Sequence, residues 1–462
     1  MRAGMNARNV HPDVLSAIGH TPLVRLNKLV GPKDATVYVK LEFMNPGGSI
    51  KDRMALHIIE KAEKAGLLKP GGTIVENTSG NTGMGLALIA AIKGYKCIFT
   101  MPDKMSLEKI NRLKALGATV VVTPTNVAAE DPRSYYETAK RLARETPGAF
   151  YPNQYHNPDN IEAHYLTTGR EVHEQLEGKI DYFVSGLGTG GTMSGAGKYL
   201  KEKNPKIVNV GVDPIGSIYA GYFKTGKVGP AHVYKVEGIG EDMVCGAMDF
   251  KVVDQVRQVD DRQCFVAARR LAREEGIFGG GSSGAAVHAA IEVAKEAGAG
   301  KVVVALLPDG GSSYISKFYS DEWMRDNGFV EEKGPGTVAD LLGNKARPLH
   351  SARKGQKVGE VIEAMKRHGI SQMPVVEADG AAVAMIHEYD LLNAIITGGH
   401  TMTSPIDTLV APLQGVVTRE TSLNRLKDIF AQDNVAVVRD GQKIAAIVTK
   451  IDLIEFLASK GA

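Results

Sequence analysis

Four glycine- or hydroxyl-rich loops, each between a strand-like run and a helical pattern, hold the residues of this sequence best equipped for chemistry. In the first, NPGGSIKDR (45–53), Pro46, Gly47 and Gly48 make a turn and Lys51 falls in the first turn of the following helix. A positive charge there opposes the helix dipole, which lowers the lysine pKa and favours the neutral, nucleophilic amine. In the second, NTSGNTG (77–83), the hydroxyls of Thr78, Ser79 and Thr82 converge with backbone N–H groups at one helix N-terminus. Such a place suits a carboxylate, although the same hydroxyls also serve as helix caps. The third, GLGTGGT (186–192), carries GxGxxG as Gly186, Gly188 and Gly191, with Asp213 22 residues further on at the end of the next strand. That is the pattern of a dinucleotide site. Thr189 and Thr192 add hydroxyl donors suited to the oxygens of one terminal phosphate, so the loop predicts a phosphate and leaves its carrier open. The fourth, GGGSSG (279–284), enters a helix at Ala285, and Ser282 there either bonds a ring nitrogen or caps the helix.

The elements that must position these loops follow from an alternation of short β-branched runs with helical stretches over the first 330 residues. Strands are expected at 36–43, 73–77, 96–100, 118–123, 181–186, 208–213 and 301–307, with helices starting near Ile50 and Thr82. Strands separated by helices imply parallel sheets covered on both faces, and such sheets bind ligands at the C-terminal ends of their strands. The four loops all lie at such ends.

Between about 331 and 348 the sequence turns rich in glycine and charge, as a linker would, and beyond it the chain repeats itself. Residues 358–395 resemble 422–457: an amphipathic helix, a Val-Val strand, an Asp-Gly turn, an apolar strand and an Asp-Leu helix start. Val376 answers to Val438 and Asp390 to Asp452, each pair 62 residues apart. Two copies too small to bury a good core alone are expected to pack face to face. The expected division is therefore 1–330, a linker at 331–348, and repeats at 349–402 and 403–462.

A length of 462 residues exceeds one core. A net charge of +3 makes no case for nucleic acid or a membrane surface. Cys97, Cys245 and Cys264 show no CxxC spacing, which argues against zinc, iron–sulfur or redox dithiol chemistry. With no apolar leader and no long apolar run, a cytoplasmic location is expected.

Taken together and in this order, GGSIKDR, SGNTG and GTGGT resemble the β-replacing branch of the fold-type II pyridoxal-phosphate enzymes, over about Val10 to Phe329. The branch contains cysteine synthases and cystathionine β-synthases. The tandem repeat resembles a pair of CBS domains, a Bateman module, and the combination resembles the cystathionine β-synthase family most. The resemblance implies an α/β catalytic part of two parallel-sheet subdomains followed by an α+β module. It implies that Lys51 holds pyridoxal 5′-phosphate as a Schiff base and then moves the α-proton, that Asn81 bonds the phenolic oxygen, and that Gly188, Thr189, Gly190, Gly191 and Thr192 cradle the phosphate. By the same token Ser282 faces the pyridine nitrogen and Thr78, Ser79, Thr82 and Gln154 hold the substrate carboxylate. Tyr155, Glu237 and Gly238 shape the substrate entrance, with Tyr155 among the catalytic residues. The implied reaction joins L-serine and L-homocysteine into L-cystathionine and water, with hydrogen sulfide released when cysteine is used. The rival is a cysteine synthase acting on O-acetylserine or O-phosphoserine and sulfide.

Where animal members carry a cysteine–histidine pair for haem, this sequence offers none, so no haem is expected. Glu241 stands after EGIG where the eukaryotic enzymes have tyrosine, which points to a different thiol preference. In the module, Thr449 with Asp452, and more weakly Asp390 behind His387, match residues that hold an adenosine ligand, S-adenosylmethionine or AMP or ATP. Each aspartate would otherwise cap its helix. A homodimer or higher homo-oligomer is implied. A nicotinamide dehydrogenase built on GLGTGG and Asp213, and a non-catalytic adenylate sensor on the same scaffold, are the competing readings.

Overall fold

The computed structural model describes residues 10–459 apart from 79, 104, 106, 126, 128–129, 331–335, 344–348, 378–380, 433–434 and 442. The chain divides into two compact units, Met1–Met324 and Arg325–Ala462.

Two sheets build the first unit. The larger has six strands in the order Leu23–Arg25, Thr36–Leu41, Val302–Leu307, Tyr182–Gly186, Val208–Pro214 and Gln255–Val259. All neighbours run parallel except the first pair. The smaller sheet is wholly parallel, in the order Thr119–Thr123, Lys96–Pro102, Thr73–Asn77 and Ala149–Phe150. Central strands are buried on both faces, as parallel strands under helices must be: Thr73–Asn77 is buried throughout, and Val302–Leu307 beyond its first residue. Two parallel-sheet subdomains are what the alternating pattern implies. Two expected helices begin within a residue of their predicted places, as Lys51–Lys64 and Asn81–Lys93.

The second unit holds a four-stranded sheet (Ala352–Arg353, Gln372–Val376, Ala382–His387, Ala411–Pro412) and a three-stranded one (Val416–Val417, Ala436–Asp440, Lys443–Val448). Val376 pairs in parallel with Arg353, and Val438 with Val417, so the repeat read from sequence is a repeat of strand pairing. The expected linker is not all linker. A helix at Val338–Leu342, started by a Thr337–Asp340 capping box, buries Val338, Leu341 and Leu342 in the core of the second repeat, beside Val417, Leu426 and Val438. The apolar positions of VADLL are too few to stand out from a linker by periodicity alone. Among the described residues, no helix is long and apolar enough to cross a membrane.

Candidate active site

Lys51 is the first residue of its helix, and its Nζ donates to Thr189 Oγ1 across 3.4 Å, joining the first loop to the third. Burial pulls its pKa down from the ordinary lysine value, while Glu241 and Cys245 act in the opposite sense. The expected direction thus holds, with desolvation as the leading cause. A lowered pKa means more neutral amine at a given pH, as a lysine nucleophile needs.

The third loop is a cradle made of missing side chains. Gly190 has φ +95°, and a Cβ there would lie 2.4 Å from Met248 Cα. One at Gly191 would lie 2.0 Å from Asn160 Oδ1, and one at Gly188 3.0 Å from the Gly238 carbonyl. Asn160 is fully buried; its Nδ2 donates to Thr189 Oγ1 (3.2 Å) and to the Gln154 carbonyl (2.9 Å), while its Oδ1 has no partner. Thr192 Oγ1 stands 3.4 Å from His164 Nε2, and His164 Nδ1 is 2.9 Å from Thr168 Oγ1. Burial, with Lys51 and Arg53 nearby, holds His164 well below the ordinary histidine pKa, so a neutral ring supports the threonine. The hydroxyls of Thr189 and Thr192 thus stand at the N-terminus of the helix Gly191–Lys203, where backbone N–H groups favour an anion.

The second loop does two jobs. Thr78 Oγ1 accepts from the Gly80 and Gly83 N–H groups, both at 3.1 Å, and so caps the helix. Thr82 Oγ1 donates to Gln154 Oε1 at 2.6 Å, and Gln154 Nε2 reaches the Asn77 carbonyl at 3.4 Å. Thr82 and Gln154, far apart in sequence, are thus brought together. Ser79 lies outside the described residues.

Asn81 and Ser282 meet on a residue that the sequence reading missed. Asp309 accepts from Asn81 Nδ2 (2.9 Å) and from Ser282 Oγ (3.4 Å). It follows the central strand Val302–Leu307, and the strand-end rule that located the other loops would have found it. Asp213, the residue a dinucleotide would require, is fully buried and accepts the Ala220 N–H at 2.8 Å. It anchors the helix Tyr219–Thr225, which removes the ground for a nicotinamide site.

Glu237, expected at the entrance as a substrate contact, has its carboxylate taken up by Lys109 and by Lys317 (2.5 Å for the latter). The neighbouring Gly238 has φ +86°, and a Cβ on it would sit 3.7 Å from Ser282 Oγ, which leaves backbone rather than side chain over that hydroxyl. Tyr155 is half-buried, with its OH 3.5 Å from that of Tyr135, and burial pushes its phenol well above the ordinary value. Burial, reinforced by Asp242, pushes the Glu241 carboxyl up to about 8, and Lys51 opposes this.

In the second unit, Thr449 lines a cavity of about 300 Å³ with His350, Gln372 and Ile447. Asp452 accepts from the Thr449 N–H (2.7 Å) and Oγ1 (2.6 Å) at the start of helix Lys450–Ser459. His387 lines a smaller cavity of about 80 Å³, and Asp390 lies in the first turn of helix Glu388–Ile396.

Comparison with known proteins bears directly on this arrangement. Residues 14–309 match the family described as pyridoxal-phosphate dependent enzyme, and residues 338–397 match the CBS domain. The cystathionine β-synthase of Dictyostelium discoideum is 40% identical, over 96% of this chain and 92% of its own length. The chain belongs to the cystathionine β-synthase family. A cysteine synthase of Staphylococcus aureus is 49% identical over 66% of this chain and 95% of its own length. The solved O-acetylserine-dependent cystathionine β-synthase of Helicobacter pylori matches 67% of this chain and 98% of its own with a TM-score of 0.62 at 37% identity. The Dictyostelium relative extends over the second unit as well, where the cysteine synthase and the solved structure cover 66% and 67% of the chain, and family membership makes this chain an enzyme of pyridoxal phosphate. The glycine and threonine loop at a helix N-terminus and the desolvated Lys51 fit that group.

Proposed function

We propose that this chain condenses L-serine with L-homocysteine, forming the carbon–sulfur bond of L-cystathionine and releasing water. The observation that carries the reading is the meeting of the Lys51 amine with Thr189 of the glycine cradle, within a chain similar over nearly its full length to cystathionine β-synthases. When bound, pyridoxal phosphate supplies an electron sink that lets the α-proton and the β-substituent leave. Lys51 Nζ attaches the group and carries that proton. Gly188, Thr189, Gly190, Gly191 and Thr192 hold its phosphate, with His164 behind Thr192. Asn81 and Ser282 address the ring, and Thr82 with Gln154 receives the amino-acid carboxylate. With cysteine in place of serine, the same exchange releases hydrogen sulfide instead of water.

Glu241 sets the approach of the thiol. With a carboxyl pKa of about 8 it is neutral at pH 7 and ionised at pH 9, where it repels a thiolate. Glu241→Gln is expected to leave KM for homocysteine unchanged at pH 7 and to lower it roughly fivefold at pH 9, the effect of about 1 kcal/mol of like-charge repulsion. An equal KM shift at both pH values refutes this role.

The second unit binds an adenosine ligand, S-adenosylmethionine foremost, in the cavity lined by Thr449, whose volume reaches the lower end of the small-molecule range. Product analysis of the full chain tests both statements, with serine plus homocysteine against O-acetylserine or O-phosphoserine plus sulfide, each with and without S-adenosylmethionine, AMP and ATP. Cystathionine from serine, at a rate moved by one adenosine compound, is the expected result. Cysteine from an activated serine and sulfide as the main product overturns the first statement, and rates and melting temperatures indifferent to all three adenosine compounds overturn the second.

A further inference from the structure

Glu76 is a fully buried carboxyl that the proposed chemistry does not use. It is the penultimate residue of the strand Thr73–Asn77, at the edge of the loop NTSGNTG. On one side that strand pairs with Lys96–Pro102 through to Asn77. On the other it pairs with Ala149–Phe150 only at Thr73 and Ile74, after which the chain leaves the sheet. Backbone N–H groups of the departing segment thus lose their ladder partners in a buried place, where an unpaired amide is costly. Glu76 supplies the missing acceptors. One of its oxygens accepts from the Gln154 N–H at 3.3 Å and the other from the Asn77 N–H at 3.0 Å. Burial pushes the carboxyl up to about 8, against the pull of the Asn77, Gln154 and Asn153 N–H groups.

The segment so held makes a sharp bend. Asn153 has φ +52°, in the left-handed region that few residues other than glycine enter. Its carbonyl accepts from the His156 and Asn157 N–H groups, both at 3.0 Å, so the bend runs on into the helix Pro158–His164. Gln154, next in the chain, is buried and gripped at both ends by one dipeptide. Its backbone N–H goes to Glu76, and its Nε2 donates to the Asn77 carbonyl at 3.4 Å. Its own carbonyl accepts from Asn160 Nδ2 at 2.9 Å. With the backbone pinned in this way, Gln154 Oε1 meets Thr82 Oγ1 at 2.6 Å. An amide nitrogen carries two N–H donors, and the Asn77 carbonyl takes one, so a second is left to give. We propose that Glu76 is a positioning residue for the substrate: its two oxygens hold the left-handed bend at Asn153, so that Gln154 presents a donor, beside Thr82, to the carboxylate of the amino acid. A glutamine at 76 would offer one acceptor oxygen where two are needed, and would turn a donor towards an N–H.

This role rests on the reading of Thr82 and Gln154 as substrate-carboxylate contacts, and the test separates the two. The full chain, loaded with pyridoxal phosphate, is compared as wild type, Glu76→Gln, Gln154→Ala and the double variant. The readouts are the serine concentration that half-saturates the change in the visible band, and the dissociation constant of the cofactor. Melting of each chain reports whether it folds. Glu76→Gln is expected to raise the serine constant about tenfold, as misplacement of a contact does, and to leave the cofactor constant within about twofold. Once Gln154 is replaced, the same change is expected to add little, a coupling of at least about fivefold. A serine constant that Glu76→Gln leaves in place, effects that simply multiply, or a cofactor constant that rises by the same factor each overturn the proposal while the contacts stand. A Gln154→Ala chain that binds serine as wild type does overturns the reading of the contacts along with it. Should Glu76→Gln not fold, Asn153→Gly and Asn153→Ala test the bend itself, since glycine accepts a positive φ freely and alanine does not. Serine is then expected to bind Asn153→Ala at least about fivefold more weakly than Asn153→Gly, and equal constants refute the role of the bend.

Discussion

Lys51→Ala is expected to abolish the part of the visible absorbance that reports covalent attachment of the cofactor, and to lower turnover by at least about 10⁴-fold. That figure is the upper end of what one positioned proton-transfer group contributes, and here attachment is lost as well. The chain should still fold, because Lys51 makes a single long hydrogen bond, to Thr189, and its burial disfavours its own charge. It should still retain the cofactor, because the cradle at 188–192 is backbone and threonine and loses with the lysine only the long bond to Thr189. Lys51→Arg should fail equally, since a guanidinium stays protonated and offers no nucleophile. The lowered lysine pKa also fixes a sign. Neutral amine is present at a lower pH than an exposed lysine allows, so the acid limb of the activity profile lies below that of a surface amine. A Lys51→Ala chain with an unchanged spectrum and measurable normal turnover would remove the basis of the proposed chemistry.

What could be read beforehand, and what could not, divides along physical lines. Loops at the ends of buried parallel strands were legible because such strands are continuous apolar runs, as at 73–77 and 302–307. The edge strands Leu23–Arg25 and Gln255–Val259 were not, since an edge strand is partly solvated and QVRQV has no apolar face to recognise. GxGxxG left the carrier of its expected phosphate open; what counts against a dinucleotide is the direction in which Asp213 turns, which spacing does not encode. Thr82 with Gln154, and Asn81 with Ser282, meet only through tertiary contacts. His164 carried no local signal inside its helix, and Asp309 carried only its place past a strand end, outside the four glycine- and hydroxyl-rich loops. In KDR the lysine was assigned a role and its two neighbours were not. Successive helix positions turn by about 100°, so residues 51 and 53 face nearly opposite ways. Lys51 looks into the site. Asp52 takes the Gly47 N–H at 2.5 Å and tightens the turn, and a Cβ at Gly47 would lie 2.3 Å from its Oδ1.

Arg53 looks into the protein, and Arg53→Ala is expected to be the most destabilising single change in the first unit, by about 3–5 kcal/mol. Its guanidinium bonds Glu42 twice, at 2.6 and 2.8 Å, and Glu171 twice, at 2.6 and 2.7 Å. The Glu42 side chain is wholly inaccessible and that of Glu171 is 11% exposed. Lys40, itself inaccessible, holds Glu171 from the other side at 2.8 Å. Deleting the arginine leaves two desolvated carboxylates with one lysine between them, so the loss is that of uncompensated charge rather than of packing. Arg53→Met, which restores apolar volume, should therefore recover little. Arg53→Met combined with Glu42→Gln and Glu171→Gln should recover most of it. Acid pH discriminates further. Despite its burial, Arg53 and Lys40 pull the Glu171 carboxyl down to about 2, so the stability it contributes is complete above the ordinary glutamate pKa and lost as pH falls from about 4.5 towards 2. In Arg53→Ala the carboxylates protonate more readily and relieve their own repulsion, so the gap between wild type and variant should narrow on acidification. Thermal unfolding at pH 7 and at pH 4 measures this directly. A deficit of the same size at both pH values, or one repaired by methionine alone, would mean that Arg53 fills space and that the neighbouring turn holding Lys51 stands without its charge.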